Sequence, residues 1–134
     1  MPKTFVKYMT KPSDEALDFI FKYTSTDKDS IFKDTKNFLN NRSNFILLTY
    51  EFKKLAGVSF FSADEVGHKI QCVKIYSDVK DIISSLINSL SGKFLGYKIK
   101  FNVNDLDKKY HNDIKKFANE INEDNTIFTI VLGG

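Results

Sequence analysis

Apolar positions along this chain follow two periods, and each switch between them marks the border of an element. Residues 5–10 alternate as a first strand, which Pro12 ends because proline lacks a backbone donor. Ser13 then stands as a helix N-cap, Asp14 and Glu15 load the first turn with the negative charge that the helix dipole favours, and Ala16, Leu17, Ile20 and Phe21 form an apolar stripe. A second helix is predicted over 29–39, where Ile31, Phe32, Thr35, Phe38 and Leu39 return at helical spacing, and Asn40, Asn41 and Arg42 end it.

From Asn44 the period becomes that of a strand. Residues 44–52 read as a buried strand, Lys53 and Lys54 as a tight turn, and 55–64 as its antiparallel partner. The next turn runs from Asp64 to His68, with Gly67 suited to a positive φ, and 69–76 is a third consecutive strand. In it Ile70, Cys72 and Lys74 alternate against Gln71, Val73 and Ile75. This strand is expected to pass almost without a loop into a helix over 79–90, capped by Ser77 or Asp78 and closed by Ser91 and Gly92, with Val79, Ile82, Ile83, Leu86, Ile87 and Leu90 on its apolar face. Residues 97–103 return to alternation, a helix from Asp105 or Asp107 carries Tyr110, Ile114, Phe117, Ala118 and Ile121 inward, and 126–132 form a last strand.

The predicted order is β-α-α-β-β-β-α-β-α-β, an α/β (α+β) domain over 1–134 with a mixed sheet and helices on both faces. A crossover through the 79–90 helix lays strand 97–103 parallel to strand 69–76. The junction between that strand and helix is the first place to look for a ligand, because a helix start offers unpaired N–H groups and a positive dipole end to phosphate.

Composition narrows the class. An apolar share of 42% with thirteen Phe excludes a disordered chain, and no run approaches the roughly 20 apolar residues that span a bilayer. The first fifteen residues lack the apolar centre and cleavage site of a signal peptide, so a cytoplasmic protein is expected. Cys72 is the sole cysteine, which rules out an intrachain disulfide and a cysteine-based zinc site within one chain. A net charge of +3 with Arg42 as the single arginine argues against nucleic acid as a partner.

The order and lengths of these elements resemble the GNAT superfamily of acyl-CoA-dependent N-acetyltransferases over nearly the whole chain. The segment FILLTYEFKKLAGVSFF is similar to that family's central hairpin, and YHNDIKKFANEINEDNTIFTIVL to its closing helix and strand, with Phe117 near a family aromatic position. The resemblance implies acetyl-CoA as cofactor, an amine as acceptor, and a pyrophosphate loop of the form Arg/Gln-x-x-Gly-x-Gly/Ala between the fourth strand and the next helix. Here that place reads SDVKDIISSL: Lys80 takes the basic position, no glycine follows, the loop reads as one or two residues shorter, and Asp78 and Asp81 add negative charge. By the same resemblance, main-chain groups of Val73, Ile75, Ser77 and Val79 would hold pantetheine and phosphates, and Tyr110 would protonate the leaving thiolate.

Glu51 and Asp64 stand at strand ends, where a carboxylate can act as general base toward an amine or remain a solvated hairpin charge. Tyr110 falls in register with Ile114, Phe117 and Ile121, as a core tyrosine would. His68 and His111 have no partner suggesting a metal, and Cys72 reads as strand packing. Phe60 and Phe61 are adjacent on one strand and cannot face the same way, so one is left for a pocket or partner surface. Residues 131–134 read as a frayed end. Two functions fit: acyl transfer to an amine, or a GNAT-fold binding module without the coenzyme, engaging a protein partner or a second copy through a sheet edge or the Phe-rich face.

Overall fold

The computed structural model describes residues 4–133; Gly134 and the first three residues, on which part of the terminal readings fell, lie outside that range. Its elements are β1 (Thr4–Met9), α1 (Asp14–Thr24), α2 (Lys28–Asn40), β2 (Asn44–Glu51), β3 (Lys54–Asp64), β4 (Lys69–Ser77), α3 (Ile82–Lys93), β5 (Lys98–Asn102), α4 (His111–Phe117), β6 (Glu120–Ile121) and β7 (Ile127–Val131). They build one mixed sheet in the order β1-β2-β3-β4-β5-β7-β6. The β4–β5 pair is parallel, as the crossover predicts, and the other pairings are antiparallel.

The sheet separates two cores. On one face α1 and α2 bury Leu17, Ile20 and Ile31 against Ile46, Leu48 and Val58. On the other, Ile82, Ile83, Leu86 and Leu90 of α3 and Ile114 of α4 pack on Leu47, Phe61, Ile70, Cys72 and Phe101. Strand alternation produces this division, since successive side chains of β2 leave the pleat on opposite sides. Phe61 is fully buried on the α3 face, while Phe60 is half-buried on the α1/α2 face.

Caps explain the first two helices. Ser13 Oγ accepts from the Ala16 N–H at 3.3 Å, and Asp27 from Ser30 N–H at 2.9 Å, so α2 starts a residue earlier than its apolar period indicates. Phe21 and Phe32 lie outside the buried stripes and are exposed; Phe19 takes the inward place in α1. The β2–β3 turn is centred on Phe52 and Lys53, both at positive φ, rather than on Lys53 and Lys54. In the following turn the positive φ belongs to His68 and not to Gly67.

Three expectations are corrected. The helix before the last strand is short: α4 ends at Phe117, whose side chain is exposed, and exposed Ile121 belongs to β6, which pairs with β7 through a turn tied by Asn122. Helix α3 runs through Ser91 and Gly92 to Lys93, and the positive φ that follows is at Gly96. The chain is not frayed after β7, because Leu132 is buried, its N–H donates to Tyr97 O at 2.8 Å and its carbonyl accepts from Gly96 N–H at 2.9 Å.

Candidate active site

The site is made by an irregularity in β4. Phe60 pairs with Lys74, but the next residue of β3, Phe61, pairs with Cys72, so Val73 is an extra residue, a β-bulge. The bulge reverses the strand's parity. Before it Ile70 and Cys72 face the α3 core; after it Ile75 and Ser77 do, and Lys74 turns to the opposite face, contrary to uninterrupted alternation.

The same point ends the pairing with β5. Strand β4 pairs with β5 over Lys69 to Cys72 and then continues to Ser77, whereas β5 stops at Asn102 and gives way to 3₁₀ turns over Val103–Asp105 and Lys108–Tyr110. The two strands therefore part, leaving a gap between them. Into it points the Ser77 carbonyl, which accepts from Lys109 Nζ at 3.0 Å and from Tyr110 Oη at 3.4 Å. Because alternate residues of a strand direct their main-chain groups to the same edge, the main chain of Ile75 faces the gap with that of Ser77.

Past Ser77 the chain does not enter a helix at once. Residues 78–81 form a connection, and α3 begins at Ile82 behind Asp81. Neither proposed cap serves. Ser77 Oγ is bound inward, donating to Ala56 O at 3.2 Å and accepting from Val79 N–H at 2.9 Å, and Asp78 is drawn toward α1. Asp81 at the N-cap makes no side-chain hydrogen bond, unlike Ser13 and Asp27 at the starts of α1 and α2. Gly57 permits the close packing here: a Cβ on it would lie 3.2 Å from Ser77 Oγ and 3.3 Å from Ile82 Cδ1.

An open hollow of about 420 Å³ lies at this end of the gap, lined by Ser77, Asp78, Val79, Lys80, Lys109 and Tyr110. Its charges are organised by Asp78, which accepts from Lys22 Nζ at 2.8 Å and from the Tyr23 hydroxyl. The hydrogen bond from Lys22, helped by that from Tyr23, holds the Asp78 carboxyl below the usual range. Burial, reinforced by Asp78, pushes the Tyr23 phenol up. Lys109 Nζ stands 5.4 Å from the Tyr23 ring centroid and 5.2 Å from that of Tyr110. Tyr110 is 4% exposed, and burial pushes its hydroxyl up to about 12.

Of the residues singled out in the sequence, Ser77, Val79, Lys80 and Tyr110 meet at this hollow. The Ile75 side chain is buried in the α3 core, and that of Val73 emerges on the other face of the sheet. Glu51 is not brought to the hollow; it ends β2, paired with Lys54 at the hairpin and with Thr4 of β1. Asp64 lies at the opposite end of β4, opposite Lys69, where its carboxylate accepts from Gly67 N–H at 3.0 Å. His68 packs on Tyr97, and His111 Nε2 is 3.1 Å from Leu106 O. Cys72 is buried, which pushes its thiol up. Among the described residues no three of His, Cys, Asp and Glu group as metal ligands, and no helix is long and apolar enough to cross a membrane. Sequence reasoning missed Lys22, Tyr23 and Lys109. Lys22 and Tyr23 reach Asp78 across more than fifty residues of chain, a relation that no local pattern records.

No protein-family model matches the sequence, and no curated protein matches it. Solved structures do match the fold. The N-acetyltransferase PseH of Campylobacter jejuni in complex with acetyl coenzyme A superimposes with a TM-score of 0.62 at 19% identity, over 95% of this chain and 96% of its own. A chimera of the Vibrio cholerae spermidine N-acetyltransferase SpeG with hSSAT gives 0.67 at 10% identity, over 97% and 96%. A Desulfovibrio desulfuricans protein assigned to the GNAT family gives 0.62 at 9% identity, over 97% and 99%. At these identities the likeness establishes the fold: the chain has the architecture of the GNAT acetyltransferases.

Proposed function

We propose that this GNAT-fold chain transfers an acyl group from acyl-CoA to an amine, in the gap between β4 and β5. The observation that carries this reading is the parting of those strands beyond Cys72 and Phe101, with the Ser77 carbonyl turned into the opening. Its support from outside is that a structure of this fold, PseH, is a complex with acetyl coenzyme A.

The residues present fit such a ligand at one end and resist it at the other. Main-chain groups of Val73, Ile75 and Ser77 along the open edge of β4 would hold the amide-bearing arm, and Val79 would pack beside it. The first turn of α3, without a side-chain cap, leaves N–H groups for a phosphate, and Lys80 and Lys109 supply positive charge. Asp78 opposes this charge, and its tie to Lys22 offsets part of the cost.

Acyl-CoA supplies the acyl group as a thioester, so transfer forms a C–N bond to the amine, breaks the C–S bond and leaves a thiolate that needs a proton. Tyr110 would be the donor because its hydroxyl stands at the edge of the gap. Burial pushes that hydroxyl up and makes it a weaker acid, so the transfer is completed by reprotonation of the tyrosinate from water in the open hollow. The hydroxyl's contact to Ser77 O, 3.4 Å long, is weak enough to be exchanged as the site fills. The acceptor's own proton passes to water through the open hollow.

The test is thermal unfolding of the purified chain with and without acetyl-CoA. At millimolar ligand, about 100-fold above a dissociation constant of tens of micromolar, mass action adds about 2.7 kcal/mol and the midpoint rises by several degrees. An unchanged midpoint would overturn the reading in favour of a GNAT-fold module without the coenzyme.

A further inference from the structure

A second hollow, of about 250 Å³, lies on the other side of β4, between that strand and the helix pair α1–α2. That is below the roughly 300 Å³ at which drug-sized ligand pockets begin, which limits any occupant to a small molecule. One of its lining residues is Val73, the bulge residue, beside which β4 and β5 part. The two hollows therefore lie on opposite faces of the same strand, and Val73 brings the second to the point where the gap opens.

Its walls are mostly apolar, with Thr24, Thr26 and Thr35 among the lining residues. Phe38 meets Phe60 edge-on with ring centroids 5.2 Å apart, Phe60 meets Tyr76 edge-on at 6.2 Å, and Ile20 and Ile31 complete the surface. Two charges of opposite sign border it, Asp34 from α2 and Lys74 from β4. Both are exposed, and neither has an ion-pair partner within 4.0 Å among the described residues, each other included. Lys74 stands on this side because the bulge reverses the parity of β4.

A mostly apolar pocket bordered by a carboxylate and an ammonium that form no ion pair with each other offers one contact to each charge of a small zwitterion. We propose that this hollow binds a free α-amino acid with an apolar side chain. Its ammonium is met by Asp34, its carboxylate by Lys74, and its hydrocarbon body by Phe38, Phe60 and Tyr76. That this amino group is also the acyl acceptor rests on the function proposed above; binding itself does not.

The experiment is an amide-shift NMR titration of the full chain, without acetyl-CoA, using L-leucine, L-methionine and L-phenylalanine. The comparison ligands are 2-phenylethylamine, which lacks the carboxylate, and 3-phenylpropanoate, which lacks the ammonium. At least one amino acid is expected to shift the amides of Asp34, Thr35, Val73 and Tyr76 saturably at millimolar concentration. Each single-charge analogue, and each of Asp34→Asn and Lys74→Met, is expected to weaken binding by about tenfold, the value of one charge-assisted contact. The proposal is overturned if no amino acid gives saturable shifts there, if 2-phenylethylamine or 3-phenylpropanoate binds as tightly as L-phenylalanine, or if both variants bind like the parent chain. Amino-acid binding in a chain that ignores acetyl-CoA would sink the transferase reading and leave this site standing.

Discussion

Tyr110 combines two roles that a single substitution separates. Its ring is buried in the core with Cys72 and Ile114, while its hydroxyl reaches the Ser77 carbonyl at the edge of the gap. Tyr110→Phe keeps the ring and removes a hydrogen bond worth about 1 kcal/mol at most, so the unfolding midpoint should shift by only a few degrees. If the hydroxyl is the proton donor, kcat should fall by about 100-fold or more with KM for acetyl-CoA little changed. A variant with the parent rate would end that assignment. Cys72 behaves in the opposite way: with 1% exposure and its thiol pushed up, it should resist alkylation in the native chain at pH 8 and react fully in denaturant.

At the scale of elements, the β4–α3 connection is where electrostatics and ligand binding compete. Asp78 ties that connection to α1 through Lys22 and Tyr23, with the Asp78 and Lys22 side chains 54% and 56% exposed. An ion pair so exposed is worth less than about 1 kcal/mol, so Asp78→Asn should barely move the unfolding midpoint at pH 7. The same change removes a negative charge from the phosphate end, and the acetyl-CoA dissociation constant, measured by calorimetry, should fall; a rise would mean that the carboxylate orders the loop for the ligand. The sign with pH follows from the depressed Asp78 carboxyl: its small contribution is present above the unfolded value near 3.8 and is lost as pH falls through the folded value below it. The Asn variant should therefore differ least from the parent in strong acid. Much of this element scale was legible in the sequence, because caps such as Ser13 and the period of β2, β3 and α3 are local signals. The bulge at Val73 was not, since a one-residue shift leaves the strand's composition unchanged and shows only in its pairing. The end of α4 was misread for a related reason: Ile121 continues a helical period, yet the hydrogen bonds from Thr126 N–H and Ile127 N–H to Asn122 Oδ1 close a hairpin there instead.

For the whole molecule, the consequence of a sheet with one core on each face is that each helix layer's core is completed by the same sheet. Leu86 and Ile46 are both fully buried, but Leu86 belongs to the α3 side and Ile46 to the α1/α2 side. Each joins its layer to the same sheet, so loss of either should be felt by the whole chain. Leu86→Ala and Ile46→Ala should each cost about 2–5 kcal/mol, the range for emptying a close-packed site. In a chain of 134 residues that lowers the midpoint by roughly 10 °C. Because the two residues belong to different core clusters on opposite faces of the sheet, their costs should add within about 0.5 kcal/mol in the double variant, provided that variant stays folded. Calorimetry would check both parts: one transition whose calorimetric and van't Hoff enthalpies agree in each single variant, and additivity in the pair. Two separate transitions after Ile46→Ala would show instead that β5, β7 and the α3 side hold together without α1 and α2.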